Sequence, residues 1–272
     1  MFTGALRHMA TWPTASFEDV VLPNPKFNEY KDENCPDGIA VYCIHGTADR
    51  SSAFSFIANQ LINDLPAAIS SIVLASFKKR GQGLGIEHFA KQLREKIIKN
   101  KHKNVVLMGH SRGGLVAACL AELLIIDDFA IHGIIPVCSP FGGSDFAIKP
   151  ISWFSTSVDE MQANSLFLKT LTSKIKNSKI KYYYIAGTKD FLVTQNSAHV
   201  QDAKEPVVEL KETEDEYVSI TSVDAYKEPV SVLEEEHLSI MCSEKLAENI
   251  RNYLHEIAET FTKKNLNEHL KM

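Results

Sequence analysis

The chain lacks any apolar run approaching the roughly 20 residues that a membrane-spanning helix needs. Met1 to Thr14 holds only scattered apolar residues and no long h-region, so no classical secretory signal is expected. A cytoplasmic protein, or one exported by another route, fits that start. Cysteine is sparse and odd in number: Cys35, Cys43, Cys119, Cys138 and Cys242 are widely spaced, with no Cys-x-x-Cys pair. A disulfide framework is therefore not expected, and a reducing compartment suits the chain better. The histidines are scattered without paired ligand spacing, so neither a metal nor another cofactor is expected. There is no cationic surplus; the net charge of −5 argues against nucleic acid as a partner. Internal repeats and low-complexity tracts are absent as well.

What is present is the composition of an ordinary soluble globular protein, with 272 residues, 44% apolar and 23% charged. That length suits one large α/β domain or two small ones. Short apolar runs alternate with amphipathic stretches, the pattern of a mostly parallel sheet covered by helices. Strands are expected at 39–44, 71–76, 104–108, 131–137 and 181–186. Shorter, partly polar strands are expected near an edge at 207–210 and 218–221. Helices are expected at 53–65, 87–100, 114–126 and 244–261; the second carries Phe89, Leu93, Ile97 and Ile98 close to helical spacing. Residues 1–37 read as an irregular lead-in, with one edge strand around 18–22, and residues 38–272 as the main domain. Between Gly142 and Ser178 the alternation breaks. This stretch is rich in aromatics and starts at a strand end, where an open α/β sheet has its crevice. It reads as a helical cap insertion, the alternative being an ordinary connecting helix pair.

The most informative segment is Val105-Val106-Leu107-Met108-Gly109-His110-Ser111-Arg112-Gly113-Gly114. An apolar run meets Gly-x-Ser-x-Gly and passes at once into an alanine-rich helical stretch, the layout of a nucleophile elbow. The serine of such a turn sits at a strained backbone angle, and a side chain two positions before or after would collide with neighbouring backbone.

A serine hydroxyl needs a base to take its proton, and that base is usually a histidine held by a carboxylate. For this layout the acid follows a later strand and the histidine lies near the C-terminus. His237, in a loop just before the final helix, stands where the base is expected, with His199 as its competitor. His132 falls in a strand, His255 in a helix and His269 in a polar tail. For the acid, Asp190 follows an apolar strand and a glycine turn; Asp215 and Asp224 are weaker candidates. A turn-stabilising role for Asp190 is the alternative. Two N–H donors must receive the developing oxyanion, and the natural pair is Arg112, after the nucleophile, and Thr47, after the strand that ends in His45-Gly46. His45 reads as a brace for that loop. The Arg112 side chain would meet either an anionic substrate group or a loop carboxylate.

Together, His-Gly-Thr, Gly-His-Ser-Arg-Gly-Gly, Gly-Thr-Lys-Asp and Glu-His-Leu resemble the landmarks of the α/β-hydrolase superfamily. Cys138-Ser139-Pro140-Phe141-Gly142-Gly143-Ser144 is similar to the strand-end Thr-Pro-x-x-Gly-Ser motif of bacterial lipases and their relatives acting on lipid anchors. Asp159 to Leu168 resembles the stretch that follows there. Ser139 stands where threonine is usual, and Ala163-Asn164 replaces a Pro-Gly. The resemblance spans about residues 38–256. It implies an α/β-hydrolase fold and a serine hydrolase with nucleophile Ser111, acid Asp190 and base His237, under a cap. Phe141, Trp153 and Phe154 would line an acyl pocket. The expected substrate is a carboxylic ester, a small molecule or a lipid. Acyl transfer or thioester cleavage on the same triad is the second reading, and a catalytically silent binding module the third. The lysines near the C-terminus leave peripheral membrane contact open.

Overall fold

The computed structural model describes residues 18–30, 35–47, 49–77, 83–144, 156–200, 210–213, 216–219 and 230–269. Within them, seven strands form one sheet: β1 (Val20–Pro23), β2 (Ile39–Ile44), β3 (Ile69–Ala75), β4 (Asn104–His110), β5 (Ala130–Val137), β6 (Tyr184–Gly187) and β9 (Val230–Leu233). Their spatial order is β1-β3-β2-β4-β5-β6-β9. Only β1 runs antiparallel, at the edge beside β3, so the lead-in contributes a strand two residues from where the sequence puts it. The two partly polar strands, β7 (Leu210–Thr213) and β8 (Glu216–Ser219), pair antiparallel with each other in a separate sheet. Residues 207–209, 220 and 221 of the expected pair lie outside the described residues.

The helices are α1 (Ser55–Leu61), α2 (Ile86–Lys99), α3 (Arg112–Leu123), α4 (Thr156–Glu160), α5 (Leu166–Ile175) and α6 (Glu244–His269). Two buried clusters flank the sheet. One gathers Phe89, Leu93 and Ile97 of α2, Leu115 to Leu120 of α3 and Leu168, Leu171 and Ile175 of α5. The other gathers Ile57 and Leu61 of α1 with Leu246, Ile250, Leu254 and Ile257 of α6. This two-sided cover is why β2 and β4 are almost continuously apolar: a strand buried on both faces has no solvent side to alternate toward.

Strand order also locates the crevice. From β2 the chain continues to one side, toward β3; from β4 it continues to the other, toward β5. The loops leaving these two parallel neighbours diverge, and the opening between diverging loops is where such sheets hold ligands. Ile44 pairs with Gly109 in register, so His45-Gly46-Thr47 lies beside His110-Ser111.

The stretch from 142 to 178 divides. Residues 145–155 lie outside the described residues. α5 buries its apolar face in the same cluster as α3, as a crossover helix between β5 and β6 does. α4 is tied instead to α2: Glu160 accepts the N–H of Ile86 at 2.6 Å, placing a carboxylate at that helix's N-terminus. Val158 of α4 and Met161 of the turn that follows are buried in that cluster too, so a cap over the crevice stays a proposal.

The steric demand of the elbow is visible in its glycines. A Cβ on Gly113 would lie 2.0 Å from the Ile44 carbonyl oxygen, and one on Gly109 2.3 Å from the Gly113 carbonyl carbon. Backbone atoms this close cannot yield without moving β2 away from α3. Gly113→Ala is expected to cost about 3 kcal/mol or more; an unchanged Tm in a thermal melt would refute this account of the elbow.

Candidate active site

Ser111 occupies the junction of β4 and α3 with φ 55° and ψ −126°, the left-handed half of backbone space that a serine adopts only under constraint. Its N–H donates to the Val137 carbonyl at 2.8 Å, which ties the elbow to the end of β5. Arg112 begins the helix, so its N–H is among those that the helix leaves without an internal partner.

Asp190 and His237 come from the ends of neighbouring strands. β6 and β9 pair through Gly187 and Leu233, and the alignment continues beyond the strands, with Thr188 N–H donating to Leu233 O and Lys189 N–H to Glu235 O. A Cβ on Gly187 would lie 2.5 Å from the Glu235 carbonyl oxygen, which explains the glycine of Gly-Thr-Lys-Asp. The result is a contact of 2.6 Å between His237 Nδ1 and Asp190 Oδ2, with both residues buried. Because a carboxylate here accepts, Nδ1 carries the proton of this contact, and in the neutral ring the lone pair is then on Nε2. The other carboxylate oxygen, Oδ1, accepts the N–H groups of Leu192 and Val193, each at 2.8 Å. Asp190 is therefore a turn-stabilising residue and a histidine partner at once. Burial opposes its charge, but the hydrogen bond and charge of His237, with those two N–H groups, hold its carboxyl below the usual 3.8.

The structure also sorts the other histidines. His132 bonds Asn104 Oδ1 at 2.8 Å, within the sheet. Burial, with Lys264 adding to it, pulls its pKa down to about 4. His199 reaches the carbonyl of Gln195 at 3.0 Å and not Asp190. His255 of α6 meets the Asp64 carbonyl. Asp215 and Asp224 lie outside the described residues, as do Trp153 and Phe154. Phe141 is buried edge-on against Tyr184, ring centres 5.4 Å apart, and lines a cavity of about 450 Å³. Neither Ser111 nor His237 lines that cavity.

Ser111 and His237 are not hydrogen-bonded to each other; a catalytic pair often tightens only when substrate is bound. His110 links them. Its ring lies 4.8 Å from the ring of His237, and its Nε2 donates to the His237 carbonyl at 2.8 Å. Nothing in its flanking residues singles out this histidine, whose partner lies 127 residues away.

On the opposite side of the elbow, Gly46 presses close: a Cβ there would stand 3.1 Å from Ser111 Cβ. Thr47 is exposed. His45 is buried, and its Nδ1 donates to Gly46 O at 3.0 Å, the bracing role expected of it. The Arg112 side chain is buried too and does not reach out to the crevice as a substrate contact would. Nη2 lies 3.4 Å from Gly46 O and Nη1 3.3 Å from Ser157 Oγ.

One further group adjoins the acid. Cys138, at φ 46° just past β5, brings its sulfur within 4.8 Å of both an Asp190 oxygen and a His237 nitrogen. Burial, then the charge of Asp190, pushes its thiol well above the ordinary range, so it stays protonated. The three side chains do not suit a tetrahedral zinc as they stand. Donors on bonds of about 2.1 Å sit about 3.4 Å apart, whereas Nδ1 and Oδ2 are at hydrogen-bond distance, 2.6 Å.

Comparison with known proteins agrees with this architecture. Residues 86–257 match the family described as the PGAP1-like alpha/beta domain. No curated protein matches by sequence. Among solved structures, the mature lipase BlEst2 of Bacillus licheniformis is similar at a TM-score of 0.61, with 14% identity over 88% of this chain and 98% of its own. The Paleococcus ferrophilus monoacylglycerol lipase gives 0.58, with 14% identity over 89% and 98%. A thermophilic esterase of Thermogutta terrifontis gives 0.56, with 12% identity over 88% and 93%. At such identities the likeness is one of fold.

The lowered carboxyl of Asp190 has a sign. Folding favours the ionised form, so its contribution to stability is present above the unfolded value and fades as pH falls through 3.8 and below. Asp190→Asn is expected to be less stable than the wild type at pH 5, with the gap narrowing toward pH 3. Urea denaturation across that range measures it; a gap independent of pH would contradict the assignment.

Proposed function

The chain belongs to the family of PGAP1-like alpha/beta domains, within the lipase- and esterase-like α/β hydrolases, and on that premise we propose that it hydrolyses carboxylic esters through an acyl-enzyme on Ser111. The observation that carries the reading is the buried 2.6 Å pair of His237 and Asp190, joined through His110 to the segment that holds Ser111 at positive φ. In this mechanism His237 Nε2 takes the proton of Ser111 Oγ as the oxygen attacks the ester carbonyl. Asp190 holds the imidazole in the required tautomer and stabilises the imidazolium. The N–H groups of Arg112 and Thr47 receive the oxyanion. The imidazolium then protonates the departing alcohol, and a water activated by the same histidine releases the acid.

The substrate would be an acyl or lipid ester. Several structural relatives are lipases, among them a Legionella pneumophila protein named as a phospholipase, and Phe141 lines a cavity beside the acid loop. Phe141 would contact the acyl group or the alcohol, as would Trp153 and Phe154. Acyl transfer to another alcohol, or thioester cleavage, uses the same residues and differs only in what accepts or carries the acyl group.

A fluorophosphonate probe is expected to label the wild type and to fail on Ser111→Ala; folded wild-type protein that takes no label would end the hydrolase reading. His237→Ala should lower kcat by about 10³ or more, and His199→Ala should leave it close to wild type. Among p-nitrophenyl esters, medium-chain ones should turn over. Activity confined to acetyl esters would rule out the lipid assignment.

A further inference from the structure

The Arg112 side chain takes no part in the chemistry above, which uses only its backbone N–H. Yet a guanidinium is always charged, and this one is 2% exposed. Taking such a group out of water is costly unless its donors are placed on acceptors. Among the described residues its acceptors include the Gly46 carbonyl, at 3.4 Å from Nη2, and Ser157 Oγ, at 3.3 Å from Nη1. The cation also lies over the Phe89 ring, 4.3 Å from its centre.

The same Gly46 carbonyl accepts from His45 Nδ1 at 3.0 Å. In a trans peptide the C=O and the following N–H point to opposite sides. Two donors on the Gly46 oxygen therefore fix the direction of the Thr47 N–H. That peptide borders the nucleophile, since a Cβ on Gly46 would stand 3.1 Å from Ser111 Cβ. Were it to flip, a carbonyl oxygen would face the point where negative charge develops, and the site would be lost with Ser111, His237 and Asp190 all in place.

We propose that the Arg112 guanidinium is a positioning group for the oxyanion hole: together with His45 it turns the Gly46 carbonyl away and the Thr47 N–H toward the crevice beside Ser111. One residue thus serves both halves of the hole, one donor through its backbone and the other through its side chain. Ser157 extends the arrangement to α4, whose Glu160 is held on Ile86 N–H. The seating of that short helix therefore bears on the geometry of the hole. The inference rests on the esterase reading of the same site.

The test compares an ester with its thionoester, whose larger sulfur fits an oxyanion hole poorly, in the wild type, Arg112→Met and Ser157→Ala. In Arg112→Met, kcat on the ester should fall about 100-fold with little change in KM, and the preference for ester over thionoester should shrink. Ser157→Ala should move both in the same direction by less, and it carries the test if Arg112→Met does not fold. A purely structural role would lower Tm and leave the preference unchanged, which overturns the proposal. A crystal structure of the Arg112 variant reads the peptide without any turnover: a Gly46 carbonyl turned toward Ser111 supports the proposal, and an unmoved one refutes it. Failure of the esterase reading shows separately, as wild-type protein that takes no phosphonate.

Discussion

The 2.0 Å that separates a virtual Cβ of Gly113 from the Ile44 carbonyl oxygen is the constraint on which the site depends. Helix α3 starts so close to β2 and β4 that its first turn tolerates no side chain on the sheet side. The chain can then pass from strand to helix only through a residue in the left-handed region, and that residue is Ser111. Its side chain is consequently pushed out of both elements. The same closeness brings the loop after β2 against the elbow, so that Gly46 borders Ser111. Candidate nucleophile and candidate oxyanion loop are thus set by one packing distance, and a change that relaxes it disturbs both.

A second constraint acts at the other end of the sheet. The parallel pairing of β6 and β9 carries on past the strand ends as far as Lys189 and Glu235. Two loops held in register need little else to bring their side chains together, and Asp190 meets His237 just beyond. The two uses of Asp190 are cooperative. The N–H groups of Leu192 and Val193 hold Oδ1 and so orient Oδ2 toward the imidazole. They also favour the ionised carboxylate that accepts from His237 Nδ1–H.

Much of this was legible in the sequence, and the parts that were not share a cause. The elbow could be read because its demands are local: a buried strand, two glycines and a helix within ten residues. β2 matches its expected span, and β4 and α2 lie within two residues of theirs, since burial on both faces or on one stripe leaves a clear pattern. β9 escaped notice because four residues, Val230–Leu233, followed by three glutamates make too short a run. The crossover role of α5 stands only as the alternative to a cap in the sequence, because its apolar face has the same period whether it covers the sheet or a ligand. His110, Arg112 and Cys138 were the least legible. Their roles come from partners such as His237 O, Gly46 O and Asp190, which the fold brings in from other strands, and nothing in their immediate neighbours records that.

The same division between local and assembled features explains why the family is plain and the substrate is not. The candidate catalytic groups stand at strand ends whose register the sheet dictates. The cavity beside the acid loop is assembled from the end of β5 with Phe141, from α5 with Thr172 and Lys176, and from the loop bearing Thr194 and His199. These three pieces have no shared register, and each can change its side chains without touching β4, β6 or β9. Selectivity built on such a wall would vary independently of the candidate triad, with apolar Phe141 and Val200 suited to a hydrocarbon portion and Thr172, Lys176 and Thr194 to a polar one. A wall of this mixed character would suit an amphiphilic ester better than a wholly apolar one, with the hydrocarbon set against Phe141 and Val200 and the polar portion toward Thr172 and Thr194.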